Sequence, residues 1–489
     1  MKLEYSAEKR SSMETFRVKL SQPEKHTLEV HAMKNITRHE SLENDISSMI
    51  DAFFRIFGLG AILKKNGAYK AKGVPAVAIF RTLFELVFMH STLFTALRGN
   101  KHITAAKDAF YRFINSEHIN WARYTLTLAS RLIEKLSKLT SEKRVKVLIV
   151  DDTLSERERS EKVELSSLVF DHCKKRHTRG FRLLTLGWSD GNTFVPVNSC
   201  LLASSKAEKR LQEAKELDKR TCGYRRRQLA QGGAPNAMME MIRSVRAVDR
   251  SASYILFDSW FSTPSNILTL KGEMGLDVIA MVKKGNVRYR CDGKMLTVKD
   301  IYNQNHKRRG RSRYLLSVEV EIVGQDGEQS IPARLVFVRN RNKRKEYRVL
   351  LTTDLSLSEE EVIRLYGKRW SIEVFFKVCK SYLRLTKECH SLSYDAMTAW
   401  VAIVFTRYIL LTYLNRLETD DRAAGELFER VCEELADITY VEALQIMLKT
   451  IADTLQEAFC LPEDELLSML NAFVAVLPAA LQKRLLSAV

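Results

Sequence analysis

From about residue 28 to 140 apolar residues recur at three- and four-residue intervals, as in ISSMIDAFFRIFGLGAI and WARYTLTLASRLIEKLSKL, which predicts a helical leading region over residues 1–143. The period then changes. RVKVLIVDDT carries a run of β-branched and aliphatic residues too short for a helix of its own and ends on Asp151 and Asp152, so it predicts a buried strand. RGFRLLTLGWSDGNTFVPVNSCLLAS reads as two strands joined by a hairpin turn at SDGN. A charged helical stretch and the amphipathic APNAMMEMIRSVRAV follow, and then SYILFDSWF repeats the strand signal, again closed by an acid, Asp258. TPSNILTLKGEMG reads as a helix and LDVIAMVKK as a further strand. Residues from about 285 to 352 alternate in the manner of an antiparallel sheet with basic turns, and beyond 392 the pattern is helical again.

The fold class is therefore α/β, a mixed sheet flanked by helices. Its expected organisation is a core beginning over 144–284, a β-rich insertion over 285–354, a helix over 355–395 that completes the core, and a helical region over 396–489.

The helix after the insertion has an unusual polar face. LSEEEVIRLY offers Ser358 with Glu361 three residues on, a capping-box pattern with acids in the first turn. In the stretch that follows, YGKRWSIEVFFKVCK, an ideal helix places Tyr366, Arg369, Glu373 and Lys380 at roughly 0°, 300°, 340° and 320° around its axis. All four share one stripe. A solvated face with ordinary i,i+4 ion pairs produces the same pattern, so the stripe needs support from elsewhere in the chain.

Charge supplies some of it: 78 lysines and arginines against 59 aspartates and glutamates leave a net +19 in 489 residues. Such a balance points to a polyanion partner, since basic patches bind phosphate backbones through counterion release. The first residues, MKLEYSAEKR, have no signal-peptide core, and the early apolar stretch VPAVAIFRTLFELVFMHSTLFTAL is broken by Arg81 and Glu85, so a buried helix pair is expected and no membrane span. Eight cysteines without a CxxC pair suit reduced thiols and a cytoplasmic location. Neither His172, Cys173 and His177 nor Cys379, Cys389 and His390 has a four-ligand zinc spacing.

Three acids then come into view: one at the end of a first buried strand, Asp258 at the end of a second, and Glu373 on the downstream helix. Ligands gather outside strand ends in open sheets. Because side chains alternate along a strand, only one of Asp151 and Asp152 should enter a shared site. Hard carboxylate ligands without paired His or Cys suit Mg²⁺ or Mn²⁺, and two such ions can activate a hydroxyl and stabilise a leaving oxygen in phosphodiester transfer. Each acid alone reads as readily as a turn residue, a helix cap or a surface ion pair.

The order Tyr366, two residues, Arg369, three residues, Glu373, six residues, Lys380 resembles the Tyr-Arg-Glu-Lys signature of DDE-class insertion-sequence transposases of the insertion-sequence-four family. The resemblance spans roughly 145–395 and implies a ribonuclease-H-like core whose second acid and glutamate are separated by a mostly β insertion. VLIVDDT and YILFDSWF resemble the two aspartate positions, and Asp152, followed by Thr153, is the closer match to the first. The resemblance thus implies Asp152, Asp258 and Glu373 as catalytic metal ligands, with Arg369 and Lys380 on phosphates beside the scissile bond and Tyr366 on another phosphate. It also implies hydrolysis at inverted-repeat ends, attack of the freed 3′-hydroxyls on target double-stranded DNA, and a homodimer to bring two ends together. Members can pass through a hairpin with a flipped base, for which Trp370, Trp260 and Tyr314 are the aromatic candidates.

Further DNA contacts are expected from three basic stretches: KRTCGYRRR with Arg225, Arg226 and Arg227, HKRRGRSR with Arg308 and Arg309, and RNRNKRK with Arg344. End recognition is assigned to the helical leading region, and LLSMLNAFVAVLPAALQKRLLSAV offers either a dimer surface or a core helix. DNA binding implies association with the nucleoid. Two rival readings stand beside the transposase: a two-metal nuclease without strand transfer, and a non-catalytic DNA-binding relic.

Overall fold

The computed structural model describes residues 49–417 apart from 71, 100–102, 104, 139–143, 172–173, 310–311, 325–326 and 341–345, with scattered positions between 428 and 476. The stretch 466–489, read as a dimer surface or core helix, and Arg344 lie outside the described residues almost entirely and entirely, respectively.

Described helices precede the first strand as α1 (Met49–Phe57), α2 (Leu59–Lys65), α3 (Ala76–Glu85), α4 (Leu93–Arg98), α5 (Lys107–Ile114) and α6 (Trp121–Lys138). Periodicity explains α6: Trp121, Tyr124, Thr125, Leu128, Ala129, Leu132, Ile133 and Leu136 form one buried stripe at three- and four-residue spacing. The apolar stretch with Arg81 and Glu85 is indeed a helix in the core, α3, and Arg81 bridges Glu85 and Asp51.

The sheet begins with β1 (Val147–Glu156), β2 (Ser167–Asp171), β3 (Arg176–Ser189) and β4 (Phe194–Leu202). Val147, Leu148, Ile149 and Val150 are all at most 1% exposed, covered on both faces as their unbroken apolar run requires, and each contributes roughly 1.5–3 kcal/mol by leaving water. The turn between β3 and β4 falls at the expected place: Asp190 Oδ1 accepts from the backbone N–H of Asn192 and Thr193, and Gly191 takes φ 99°. After α7 (Cys222–Gln231) and α8 (Ala234–Arg246) come β5 (Tyr254–Phe257), α9 (Pro264–Leu268) and β6 (Asp277–Val282). β1 pairs with β3 antiparallel and with β5 parallel, and β5 pairs with β6 parallel. The order β4, β3, β1, β5, β6, a meander followed by two parallel strands beside the first, is the ribonuclease-H-like arrangement.

The block 285–354 contains β7 (Arg288–Cys291), β8 (Lys294–Thr297), α10 (Val298–Gln304), β9 (Tyr314–Val323), β10 (Ser330–Arg339) and β11 (Tyr347–Thr352). These strands extend the same sheet, because β11 pairs antiparallel with β6 and β10, β9, β7 and β8 follow outward. α11 (Glu359–Gly367) and α12 (Trp370–Ser381) then return the chain to β1, and α13 (Tyr394–Leu417) follows. Ser358 and Glu361 form the capping box that the sequence predicts.

One helix was expected across 358–380 and two are found. Backbone N–H groups of Lys368, Arg369, Ser371 and Ile372 bond three residues back, at 3.0–3.2 Å, so the chain tightens at the break after Gly367. Among the described residues one helix, Tyr394–Arg416, is long and apolar enough to cross a membrane, but 72% of its apolar window is buried in the protein, packed against α6 and β4. Its Arg407, completely buried, is satisfied by Glu388 and by the carbonyls of Leu83 and Phe84.

Candidate active site

The pleat of β1 separates its two acids. Asp151 and Thr153 face α12, where Arg369 Nη1 donates to Asp151 Oδ2 at 2.7 Å and Lys380 Nζ donates to Thr153 Oγ1 at 2.6 Å. Asp152 lies between them on the other face and accepts from Arg182 Nη1 at 3.0 Å; Arg182 also donates to Phe170 O at 2.8 Å. The structure thus differs from the expectation drawn from the following threonine in its geometry: it is Asp151, not Asp152, that the fold brings to the helix carrying Glu373. What the Asp-Thr pair marks is Thr153, the anchor of Lys380.

Asp258 reaches the same place by register. Ile149 pairs with Leu256 across the parallel ladder, so Asp151 and Asp258 both lie two residues beyond the last pair; β1 does not end on its aspartates as expected but runs on to Glu156, whereas Asp258 stands just past the end of β5. Asp258 also behaves as a turn residue, accepting from Trp260 N at 2.9 Å. Glu373, in the first turn of α12, accepts from Arg369 Nη2. One guanidinium thus joins acids of β1 and α12.

Burial sets the electrostatics of the site. Asp151 is pushed up to about 7 by desolvation, against the pull of Arg369, with Asp258 and Asp152 adding repulsion. Tyr366, at the end of α11, is raised to about 12, again by desolvation; Arg369 counters this while Asp258 and Asp151 add to it. Its buried hydroxyl makes no hydrogen bond of normal geometry. Arg369 and Lys380 thus reach β1 directly, Glu373 is joined to it through Arg369, and Tyr366 lies beneath the Arg369 guanidinium.

Not all the expected DNA contacts can serve. Arg227 is 1% exposed, held by Glu164 and Asp395 at 2.6–2.9 Å, and Arg226 is turned inward to Ile119 O at 2.5 Å and Asp395 at 3.3 Å. Both are fold-holding residues, because their compensating acids lie far away in sequence. Arg225, Arg308 and Arg309 are exposed. Arg308 stacks over Tyr314 at 4.4 Å, and Tyr314 itself is buried, which removes it as a stacking surface for a base. Trp260 and Trp370 are 61% and 64% exposed, and Lys283 Nζ lies 4.5 Å over the Trp260 ring. Sequence reasoning missed Lys283, as well as Lys368, whose Nζ donates to Val145 O at 2.6 Å and anchors the helix break next to Arg369.

The donors fit a hard divalent cation in kind, since Asp151, Asp258 and Glu373 are all carboxylates, but among the described residues no three His, Cys, Asp or Glu side chains are grouped closely enough to hold one. The ribonuclease-H-like sheet thus carries Asp151 within β1 and Asp258 just after β5, and faces Glu373 on the helix that returns to β1. Residues 90–333, about half the chain, match a family model described as DDE superfamily endonuclease. The match supports a DDE-type nuclease or transposase dependent on a divalent metal and acting on DNA; it includes Asp151 and Asp258 and ends before Glu373. No curated protein matches the chain.

Proposed function

We propose that this chain is a transposase of the insertion-sequence-four type, which cleaves DNA at inverted-repeat ends and joins the freed ends to target DNA. The observation that supports this reading is the bridge of Arg369 between Asp151 and Glu373, which ties the Tyr-Arg-Glu-Lys stretch to the middle of β1. Asp151, Asp258 and Glu373 would hold Mg²⁺ or Mn²⁺, which when bound supplies Lewis-acid stabilisation of the attacking and leaving oxygens. The chain's own residues orient the substrate: Lys380 and Arg369 present cationic donors to phosphates flanking the cut, and Tyr366 offers a hydroxyl with bonding capacity to spare. Exposed Arg225, Arg308 and Arg309 add backbone contacts that position the duplex without reading it. Synapsis of two ends requires at least a dimer at work.

The test is strand cleavage of DNA carrying the element's own flanking ends, with Mg²⁺ or EDTA, for the wild type beside Glu373→Gln. Metal-dependent cleavage followed by joined products, both absent in a Glu373→Gln chain that still binds the DNA, is the expected result. Cleavage without joined products would replace the transposase by a nuclease, and cleavage that survives Glu373→Gln would sink the carboxylate set.

A further inference from the structure

Arg369 occupies the place where acids of two different elements meet. Its two terminal nitrogens are divided between Asp151 and Glu373, and the side chains of the three residues are 15%, 16% and 34% exposed. A guanidinium is charged at every accessible pH and presents a rigid fork of donors, so its single charge is shared between both acids at once. The fork takes one oxygen of each carboxylate, so it opposes a divalent cation there by its positive charge rather than by using up every ligand atom; among the described residues no group of three His, Cys, Asp or Glu is placed to hold a metal.

Removing the guanidinium from both acids costs a partner that a half-buried cation needs. A phosphate oxygen pair is the anion whose geometry the fork matches. The root of the side chain is well placed for such an exchange. Arg369 sits at the break between α11 and α12, and its neighbour Lys368 is tied to Val145 O and Asp190 O, so the backbone is held while the side chain changes partners.

We propose that Arg369 is a displaceable internal cation: it holds Asp151 and Glu373 in the DNA-free chain and withdraws onto a DNA phosphate, so that divalent metal and DNA bind with positive coupling. The inference rests on the metal site of the proposed function. Linkage makes the coupling reciprocal, so DNA tightens metal binding by the factor by which metal tightens DNA binding. Its consequence is restraint, because a chain without DNA would be poorly loaded with metal.

Mn²⁺ binding, followed by the loss of the free-ion electron paramagnetic resonance signal, tests this without any turnover. The full chain is titrated with and without a random-sequence duplex, as wild type, Arg369→Gln and Arg369→Lys. Arg369→Gln is expected to bind Mn²⁺ about ten-fold or more tightly than wild type when no DNA is present, the order that loss of one adjacent positive charge implies. The duplex should tighten Mn²⁺ binding in the wild type and leave Arg369→Gln unchanged, while Arg369→Lys, which keeps the charge, stays close to wild type without DNA. Equal Mn²⁺ affinities for wild type and Arg369→Gln, or DNA-induced tightening that persists in Arg369→Gln, would overturn the coupling alone. Binding to Arg369→Gln that survives an added Asp258→Asn would place the ion elsewhere and overturn the metal site together with the inference.

Discussion

Lys380 Nζ donates to Thr153 Oγ1 at 2.6 Å, fastening the last turn of α12 to β1 one pleat beyond Asp151. The bond does two things at once: it fixes the height of the helix that carries Glu373, and it stations an ammonium on the face of β1 that carries Asp151. Lys380→Met keeps most of the stem and removes the donor. It is expected to lower stability by about 0.5–1.5 kcal/mol in urea unfolding, the net worth of one such bond. DNA affinity should fall for every sequence, with the slope of log K against log salt shallower by about 1 if one phosphate contact is lost. An unchanged slope would place Lys380 in the fold alone.

The two neighbouring aspartates should separate cleanly under substitution. Asp151→Asn removes the acid that faces Arg369 and Asp258, and is expected to abolish cleavage while DNA binding persists. Asp152→Asn removes an acid that pairs with Arg182 on the opposite face and should leave cleavage measurable. The reverse ranking in one cleavage assay would restore Asp152 as the first acid.

Asp151 also makes the metal-free protein sensitive to pH. Its ordinary value near 3.8 holds in the unfolded chain, whereas burial lifts it to about 7 in the folded one. Between those values the unfolded state gives up its proton and the folded state keeps it, so folding stability from this group is greatest below pH 4, declines as pH rises, and is lost fully above pH 7. Partial exposure and the ion pair reduce the effect to roughly 1–3 kcal/mol. Thermal melting of metal-free wild type and Asp151→Asn across pH 4–8 should therefore show the variant gaining on the wild type as pH rises. Parallel curves would mean that Asp151 ionises freely.

What the sequence made legible was local. The runs VLIV and YILF, the capping box at Ser358 and the SDGN turn follow from neighbours a few residues apart, and each is found where the pattern puts it. What it concealed depends on partners far along the chain. Arg226 and Arg227 look like a DNA-binding run until Asp395 closes on them, and the continuation of the sheet from β6 into β11 is set by pairing across some 70 intervening residues. Asp151 and Asp152 differ only by the pleat of β1, which no property of the two side chains reveals. The break after Gly367 is intermediate: the glycine was visible as a weak point, but only the tie from Lys368 to the β1 approach and the β3–β4 turn explains why the chain tightens there.

The buried arginine of α7 gives a sharp contrast with its exposed neighbour. Arg227→Ala leaves Glu164 and Asp395 without their shared partner in the interior, and should cost about 3–5 kcal/mol in denaturant unfolding. Arg225→Ala, on the exposed side of the same helix, should change stability by less than about 0.5 kcal/mol. Only the second is expected to weaken DNA binding at constant fold. Equal losses of stability would show that the ion cluster does not hold α7 to α13.

The position of α12 further depends on a glycine in the sheet. Gly187 of β3 lies beneath the ring of Phe194 on β4, and a Cβ there would stand 2.1 Å from a ring carbon. On its other side the Phe194 ring meets Phe375 of α12, with centroids 5.0 Å apart. Phe375 is two residues beyond Glu373, and it is packed in turn by Phe405 and Tyr408 of α13, so a Phe194 ring displaced to that side meets further packed aromatic rings. Gly187→Ala should therefore cost about 1–3 kcal/mol as an overpacked core. It should also push α12 away from β1 and lower the rate of DNA cleavage at temperatures where the chain is still folded. Pairing it with Phe194→Leu, which makes room above the strand, is expected to recover part of both losses. Stability regained without any return of cleavage would mean that Gly187 serves the core and does not set the height of Glu373.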